Sequence, residues 1–490
     1  MIHAQLSIRR MATMTSSSSL KIADVESDVA VMPASSGQRG LWLSGQMGDA
    51  ENAYAVHALW EITGHLDHDR MVRAVQEVVD RHEALRTSFL WDGGLFQLIH
   101  DAAPAPAPAL VTATAYVDDA TCWEIVGQPW ETASHPLMRV NVIRRSPMNH
   151  VLAVAMHHLI CDGPSVQILI RDLVRAYVSP GTVQADQPAL HFADYAAWEA
   201  EWLVGEEYAR QRLDVHAEWA TAPPAINFPL GWDAGAAGAE VVRTSRLAPE
   251  LSRRIDQLAR DLRVTIFTLM LTMFSAVLHR WTGDRTIVIG TPISLRESAD
   301  LDQTIGLLIN TVPISTAWDE EASFADVVQA VQRSAGRALE RRRCPFDQLV
   351  YDLRPPRAHG RAPVFQTFFS AVPEAEGAPL WPGFAVRQLP PPPASPKFEL
   401  SCNVTVGDVH VVHLTADPRR FSVPVLEIFQ RHLRVVIETL VDDPTTTVDR
   451  LPLVAAGGPV LADMFGLDGL PDMYRFPLVT GTHGRFGGRA

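Results

Sequence analysis

The sequence predicts a mixed α/β (α+β) protein of two lobes, and three observations carry that expectation. The chain has 490 residues, 47% of them hydrophobic, which is more than one ordinary domain needs and enough for two cores. Strand-like and helix-like periods alternate along it. Val56, Ala58, Trp60 and Ile62 recur at a period of two, and Met71, Ala74, Val75, Val78 and Val79 then form one helical face. Finally, an apolar run, Val151 to Met156, leads through the polar loop His157-His158-Leu159-Ile160-Cys161-Asp162-Gly163 into Val166, Leu169, Ile170, Leu173, Val174 and Tyr177 at helical spacing.

Composition bounds the partners. A formal net charge of -14 disfavours nucleic acid and anionic membrane. Four scattered cysteines without CxxC pairs fit free thiols in a reducing cytoplasm. The Ser-rich segment 1–30 has no apolar core of signal-peptide length and is expected to be disordered, with Met11 or Met14 as an alternative start. Val264 to Val277, interrupted by threonines, is shorter than the ~20 residues of a membrane span and is expected as a buried helix. The first lobe is placed at 31–215 and the second at 216–460. Residues 461–490 are expected as a mobile, Gly-rich tail.

In the first lobe, Ser35, Gln38, Arg39, Leu41 and Trp42 mark a capped helix start with a Trp anchor. The helix ending near Arg81 runs into Arg81-His82-Glu83-Ala84-Leu85-Arg86-Thr87-Ser88-Phe89, a charged helix end followed by a strand. Ala/Pro alternation over 102–109 gives a stiff surface connection. Phe192 to Glu199 forms an amphipathic helix with Tyr195 and Trp198 on one face.

The loop after Met156 carries the candidate chemistry. A neutral imidazole has a pKa near 6.5 and can take or hold a proton at neutral pH. The plainer reading is that the histidines satisfy hydrogen bonds at a strand end. Metal binding lacks a ligand cluster at the required spacing, so no metal is expected.

The second lobe follows a Pro-, Ala- and Gly-rich crossing at 221–240. Helices are expected over Leu247 to Arg260 and Thr265 to Trp281. A buried strand, Thr286 to Ile289, ends in Gly290-Thr291-Pro292-Ile293-Ser294-Leu295-Arg296. Next come Ile305 to Ile314, then Arg343-Cys344-Pro345-Phe346-Asp347-Gln348-Leu349-Val350, then Arg361 to Gln366. Residues 374–397 are loose and Pro-rich, Lys397-Phe398-Glu399-Leu400-Ser401 opens a strand, and Val423 to Leu440 is the final helix.

Taken together these segments resemble, in order, the motifs of nonribosomal peptide synthetase condensation domains, members of the chloramphenicol acetyltransferase-like superfamily. HHLICDG matches HHxxxDG. The stretches above match SxAQxRLW (Gly37 for Ala), RHExLRTxF, YxDYAxWQ (Phe192 for Tyr, Glu199 for Gln), GTPxxxR, IGxFVNT (Leu308 for Phe), PFExLV, RxPxFQ and KFDLS. The resemblance spans about 33 to 455. It implies two acetyltransferase-like lobes in a V-shaped pseudo-dimer around a central substrate tunnel, with 374–397 as a latch onto the first lobe.

The resemblance further implies a free-standing, monomeric acyltransferase with no bound cofactor. A donor carrier protein presents an acyl thioester on its phosphopantetheine arm. A second carrier, or a small amine or alcohol, supplies the acceptor, and the product is an amide or ester. His158 is the expected functional histidine, as base or positioning group. His157 and Asp162 would support the loop, and the Gly163 N–H would face developing charge. Arg296 would pair with Asp162. Arg86, Ser294 and Asn310 are the candidates for lining the tunnel. RHEALRTSF looks like condensation members more than epimerising ones. The alternatives are acyl transfer between small, non-carrier substrates and a silent recruitment role. Arg341-Arg342-Arg343 and Arg357 with Arg361 read first as a solvated helix end and second as a docking patch for acidic carriers.

Overall fold

The computed structural model describes residues 21–454 except 23–24, 26–28, 47–53, 102–108, 113–116, 128–129, 131–135, 221–224, 227, 229–237, 320, 356–360, 375–380 and 392–394. The Ser-rich start, the Ala/Pro stretch 102–108 and the tail 461–490 lie outside the described residues. The first lobe runs β1 (Val29–Pro33), α1 (Ser36–Gln46), β2 (Ala55–Thr63), α2 (His68–Arg81), β3 (Thr87–Trp91), β4 (Leu95–His100), β5 (Ala109–Thr112), α3 (Asp119–Val126), β6 (Met138–Ser146), β7 (Asn149–His157), α4 (Gly163–Val178) and α5 (Phe192–Trp202). Helix α6 (Glu206–Trp219) leads away from it. Then follow β8 (Val241–Arg246), α7 (Pro249–Asp261), α8 (Ile266–Thr282), β9 (Thr286–Ser294), β10 (Ile309–Ala317), α9 (Phe324–Glu340), α10 (Phe346–Leu353), β11 (Thr367–Pro373), β12 (Ala385–Gln388), β13 (Leu400–Val406), β14 (Val411–Ala416) and α11 (Val423–Asp442).

Each lobe is a mixed α/β unit around its own sheet. The first sheet has the order β12-β2-β7-β6-β5, and the second β10-β9-β11-β13-β14-β8. A third, small sheet, β1-β4-β3, flanks the first lobe. Strand β7 is central, and helices pack on both its faces, so its side chains from His150 to His157 are all buried. That double cover explains the uninterrupted apolar run where a half-exposed strand would alternate. Helix α8 is buried on nearly every side in the second core, with the Thr265 hydroxyl capping the Thr268 N–H at 3.0 Å and Gly283 ending it at φ 75°. Among the described residues, no single helix is long and apolar enough to cross a membrane.

A borrowed strand ties the lobes together. β12, from the second half of the chain, adds an edge strand to the first sheet, with Ala385 opposite Thr63 and Gln388 opposite Trp60. Arg387 reinforces it by donating to Glu61 at 2.7 and 3.0 Å. β9 is longer than its sequence suggests. The strand is expected over Thr286 to Ile289, and Gly290, Thr291 and Pro292 continue it by pairing with β10, Pro292 opposite Thr311. β11 pairs with β9 only at Ile289 and Gly290, so Pro292 faces no strand on that side and its missing N–H costs no ladder bond.

Candidate active site

Strand β7 delivers His157 and His158 to one end of the first sheet. His157 is buried, and its Nδ1 accepts the Leu159 N–H at 3.1 Å. This holds the Nδ1 lone pair inward and leaves the proton on Nε2. The main-chain N–H of His158 donates to the Tyr54 carbonyl at 2.7 Å, fixing where the backbone turns. The His158 Nδ1 lies 3.1 Å from the Cys161 carbonyl oxygen. A carbonyl can only accept, so Nδ1 carries the proton in the neutral ring and Nε2 presents a free lone pair.

Both imidazoles are poor proton acceptors here. Burial pushes His157 down to about 4, with the neighbouring His158 adding to the effect. His158 also falls to about 4, from burial first and the charge of Lys397 second, against the opposing pull of the Cys161 carbonyl. Both rings are therefore neutral at pH 7. His158 is nevertheless half-buried and not fully closed off. At the start of α4, Gly163 is exposed, and a Cβ built on it meets nothing within 4 Å.

Asp162 organises the loop. It is the N-cap of α4, and its Oδ1 accepts the Ser165 N–H at 3.0 Å and the Ser165 hydroxyl at 2.6 Å. Its other partners come from the second lobe. The Leu308 N–H donates to Oδ2 at 3.1 Å, and Arg296 donates through both terminal nitrogens, Nη1 to Oδ2 and Nη2 to Oδ1. Arg296 Nη2 also reaches the Thr304 carbonyl at 2.8 Å. Gly306 lies under the same loop, where the Ser165 hydroxyl oxygen accepts its N–H at 3.1 Å. A Cβ at Gly306 would sit 2.2 Å from Phe192 Cδ2, so the α5 ring demands glycine there.

Of the residues singled out in the sequence, His157, His158, Asp162, Gly163 and Arg296 converge on this loop. The others are occupied elsewhere. Arg86 donates to the His100 carbonyl at 2.8 Å beside the small sheet. Asn310 donates to the Arg342 and Cys344 carbonyls at 2.8 and 2.6 Å and accepts from the Phe346 N–H, tying down the turn before α10. Ser294, at the end of β9, accepts the Arg296 N–H at 3.2 Å and so steadies the arginine. His82 is structural, bound to buried Asp172 at 2.8 Å.

The arginine cluster is not a free patch. Arg341 pairs with Glu218, Arg342 and Arg343 pair with Glu297, and Arg343 also lies 5.0 Å from the Trp198 ring centroid. Arg361 pairs with Glu399, and Arg357 lies outside the described residues. A groove of about 630 Å³, open to solvent, lies between α6, α9 and α10, and none of the histidine loop lines it.

Lys397 is legible in the sequence only as part of a strand motif, yet it belongs to this site. Its ammonium lies 5.5 Å from the ring centroid of Tyr54, the residue whose carbonyl holds His158. Its side chain is exposed, and the protein packed around it lowers its pKa against the opposing charge of Glu240.

Two sheets bridged by a borrowed strand, with a histidine loop clamped between lobes by an ion pair, define a two-lobed protein of acetyltransferase-like fold. The Condensation domain family matches residues 29–457, and the chain belongs to that family. Among curated relatives, a plipastatin synthase of Bacillus subtilis is 30% identical over 443 residues, 86% of this chain and 12% of the relative. Tyrocidine synthase 3 of Brevibacillus parabrevis is 28% identical, over 85% of this chain and 6% of its own length. The chain thus spans a small fraction of these curated relatives. Among solved structures, the X-domain from teicoplanin biosynthesis superposes with a TM-score of 0.76 at 24% identity, covering 86% of this chain and 97% of that one. The first condensation domain of the calcium-dependent antibiotic synthetase, in complex with a substrate analogue, gives 0.71 at 22% identity over 87% and 99%.

Proposed function

We propose that the protein forms an amide by transferring an acyl group from a carrier-protein phosphopantetheine thioester to an amine. The observation that carries this is the His158 ring, neutral at pH 7 and only half-buried, whose Nδ1 is turned to the Cys161 carbonyl so that Nε2 keeps its lone pair. The acceptor amine donates an N–H to Nε2, which turns the nitrogen's own lone pair toward the thioester carbon. Holding two reactants in that geometry supplies much of the rate for an already neutral nucleophile. Attack makes the nitrogen acidic, and His158 then relays its proton to the departing thiolate.

An imidazole held near 4 is a weak base. It suits a neutral amine better than a hydroxyl, whose proton must be removed during attack, so an amide is favoured over an ester. His157 and Asp162 take no part in proton transfer. They fix the loop, with Arg296 as the counter-charge.

The family membership and the names of the relatives, synthases of plipastatin and tyrocidine, support a carrier-bound donor. Intact-mass spectrometry tests it. The protein is mixed with an acyl-loaded carrier and an amine acceptor, either free or carrier-bound, and in parallel with the same acyl group on a small free thiol. Product that requires the carrier supports the reading. Equal product from the free thioester replaces it with small-molecule acyl transfer, and no product across a broad panel leaves a recruitment role.

A further inference from the structure

We infer that Lys397 is a catalytic residue whose ammonium stabilises the negative charge that gathers on the donor carbonyl oxygen during acyl transfer. The inference rests on the reaction proposed above and adds a residue to it.

Three observations support it. Lys397 and His158 share a neighbour: Tyr54 holds the His158 N–H through its carbonyl at 2.7 Å and lies under the ammonium, 5.5 Å from ring centroid to Nζ. Lys397 has no carboxylate within ion-pair distance among the described residues. The charge of Glu240 reaches it, but burial outweighs that charge. Its own charge also reaches the His158 ring. An exposed ammonium without a counter-ion holds only water, and it is left short of a partner once substrate displaces that water.

The reactants do not supply that partner, because a neutral amine and a thioester bring no anion to the reacting centre. The reaction does. The nitrogen lone pair forms the C–N bond and the carbonyl π pair moves onto oxygen, giving an alkoxide that faces Lys397. The pair then returns, the C–S bond breaks, and the sulfur leaves with its electrons while His158 passes it the proton from nitrogen. Lys397 keeps its proton throughout. A fixed charge that meets its complement only in the transition state lowers the barrier without tightening substrate binding.

The test compares the wild-type protein with Lys397→Met, Lys397→Ala and Lys397→Arg, using whichever acyl thioester the wild type accepts. Melting temperature serves as the check on folding. Lys397→Met is expected to lower kcat by about 10²–10³ with KM changed only a few-fold. Lys397→Arg should retain part of the rate, and added ethylammonium should restore part of it to Lys397→Ala. A second measurement needs no turnover: a phosphonate analogue of the tetrahedral intermediate should bind the wild type at least tenfold tighter than Lys397→Met, while the neutral amide binds both alike. Wild-type kcat in Lys397→Ala, a loss confined to KM, a folded Lys397→Ala that ethylammonium does not rescue, or a phosphonate that binds wild type and variant equally would each overturn the assignment. Failure of the carrier requirement would not touch it.

Discussion

Asp162 and Arg296 join the two lobes through a buried two-pronged ion pair, with the aspartate wholly enclosed at the start of α4 and the arginine reaching it from beyond β9. Among the described residues, the carboxylate has no other cation. Its remaining bonds come from Ser165 and the Leu308 N–H. Removing one partner therefore strands a buried charge.

Arg296→Met is expected to destabilise the fold by roughly 3–5 kcal/mol, because Asp162 loses its counter-charge in a site closed to solvent. Asp162→Asn should keep the cap, because the amide oxygen still accepts the Ser165 N–H, and lose stability through the unpaired Arg296 instead. Urea denaturation of both single variants and the double variant measures the coupling. The double variant should be more stable than the sum of the two single losses implies. Additive losses would show that the pair does not join the lobes energetically.

The same pair shows how much is legible in the sequence. Motif order locates the loop, its aspartate and the matching arginine 134 residues further on, and hydrophobic period locates the helices and strands around them. Side-chain direction is not legible. Arg86 and Asn310 sit in motifs, but each is consumed by main-chain carbonyls that only the tertiary fold brings within reach. Arg341, Arg342 and Arg343 look basic in sequence and are neutralised by Glu218 and Glu297 from distant segments. Lys397 is the opposite case, an ordinary strand-end lysine in sequence that the fold sets over the Tyr54 ring with its charge in reach of His158.

Acid should weaken the fold through its buried histidines. His157, His158 and His432 are all held at about 4 by burial, against 6.5 when unfolded. The folded groups refuse protons that the unfolded chain accepts, so stability falls as pH drops from about 6.5 to about 4, and these groups add no further loss below that. Melting temperature should therefore decline between pH 7 and pH 5. A flat profile would contradict the burial.

A depressed His158 also moves the acid limb of activity. Where turnover follows the neutral imidazole, kcat/KM should hold at about pH 5.5 and fall only near 4, measured on the acyl-transfer rate. An acid limb at 6.5 would mean the ring is more open to solvent than the structure places it.

Gly163 tests the open space at the end of the histidine loop. A Cβ there meets no protein atom, so Gly163→Ala should change unfolding free energy by no more than about 0.5 kcal/mol. Turnover should fall for Ala and further for Val, because the added atoms occupy the open space. Unchanged kinetics in both variants would place the reacting groups elsewhere.

Gly306 tests the packing under the loop. Its α-carbon lies so close to Phe192 that Gly306→Ala forces a clash, expected to cost about 1–3 kcal/mol. Pairing it with Phe192→Leu should recover part of that loss in a denaturation series, since the smaller side chain gives the methyl room.

The central claim is that the His158 Nε2 lone pair directs the acceptor nitrogen. The most direct measurement is the single-turnover rate of product formation by His158→Ala with an acyl-loaded carrier and an amine acceptor, under conditions where the variant's melting temperature shows it folded. A fall of about 10²–10⁴ relative to the wild type is expected for losing such a group. An unchanged rate would contradict the account and return His158 to a strand-end residue that only completes the loop.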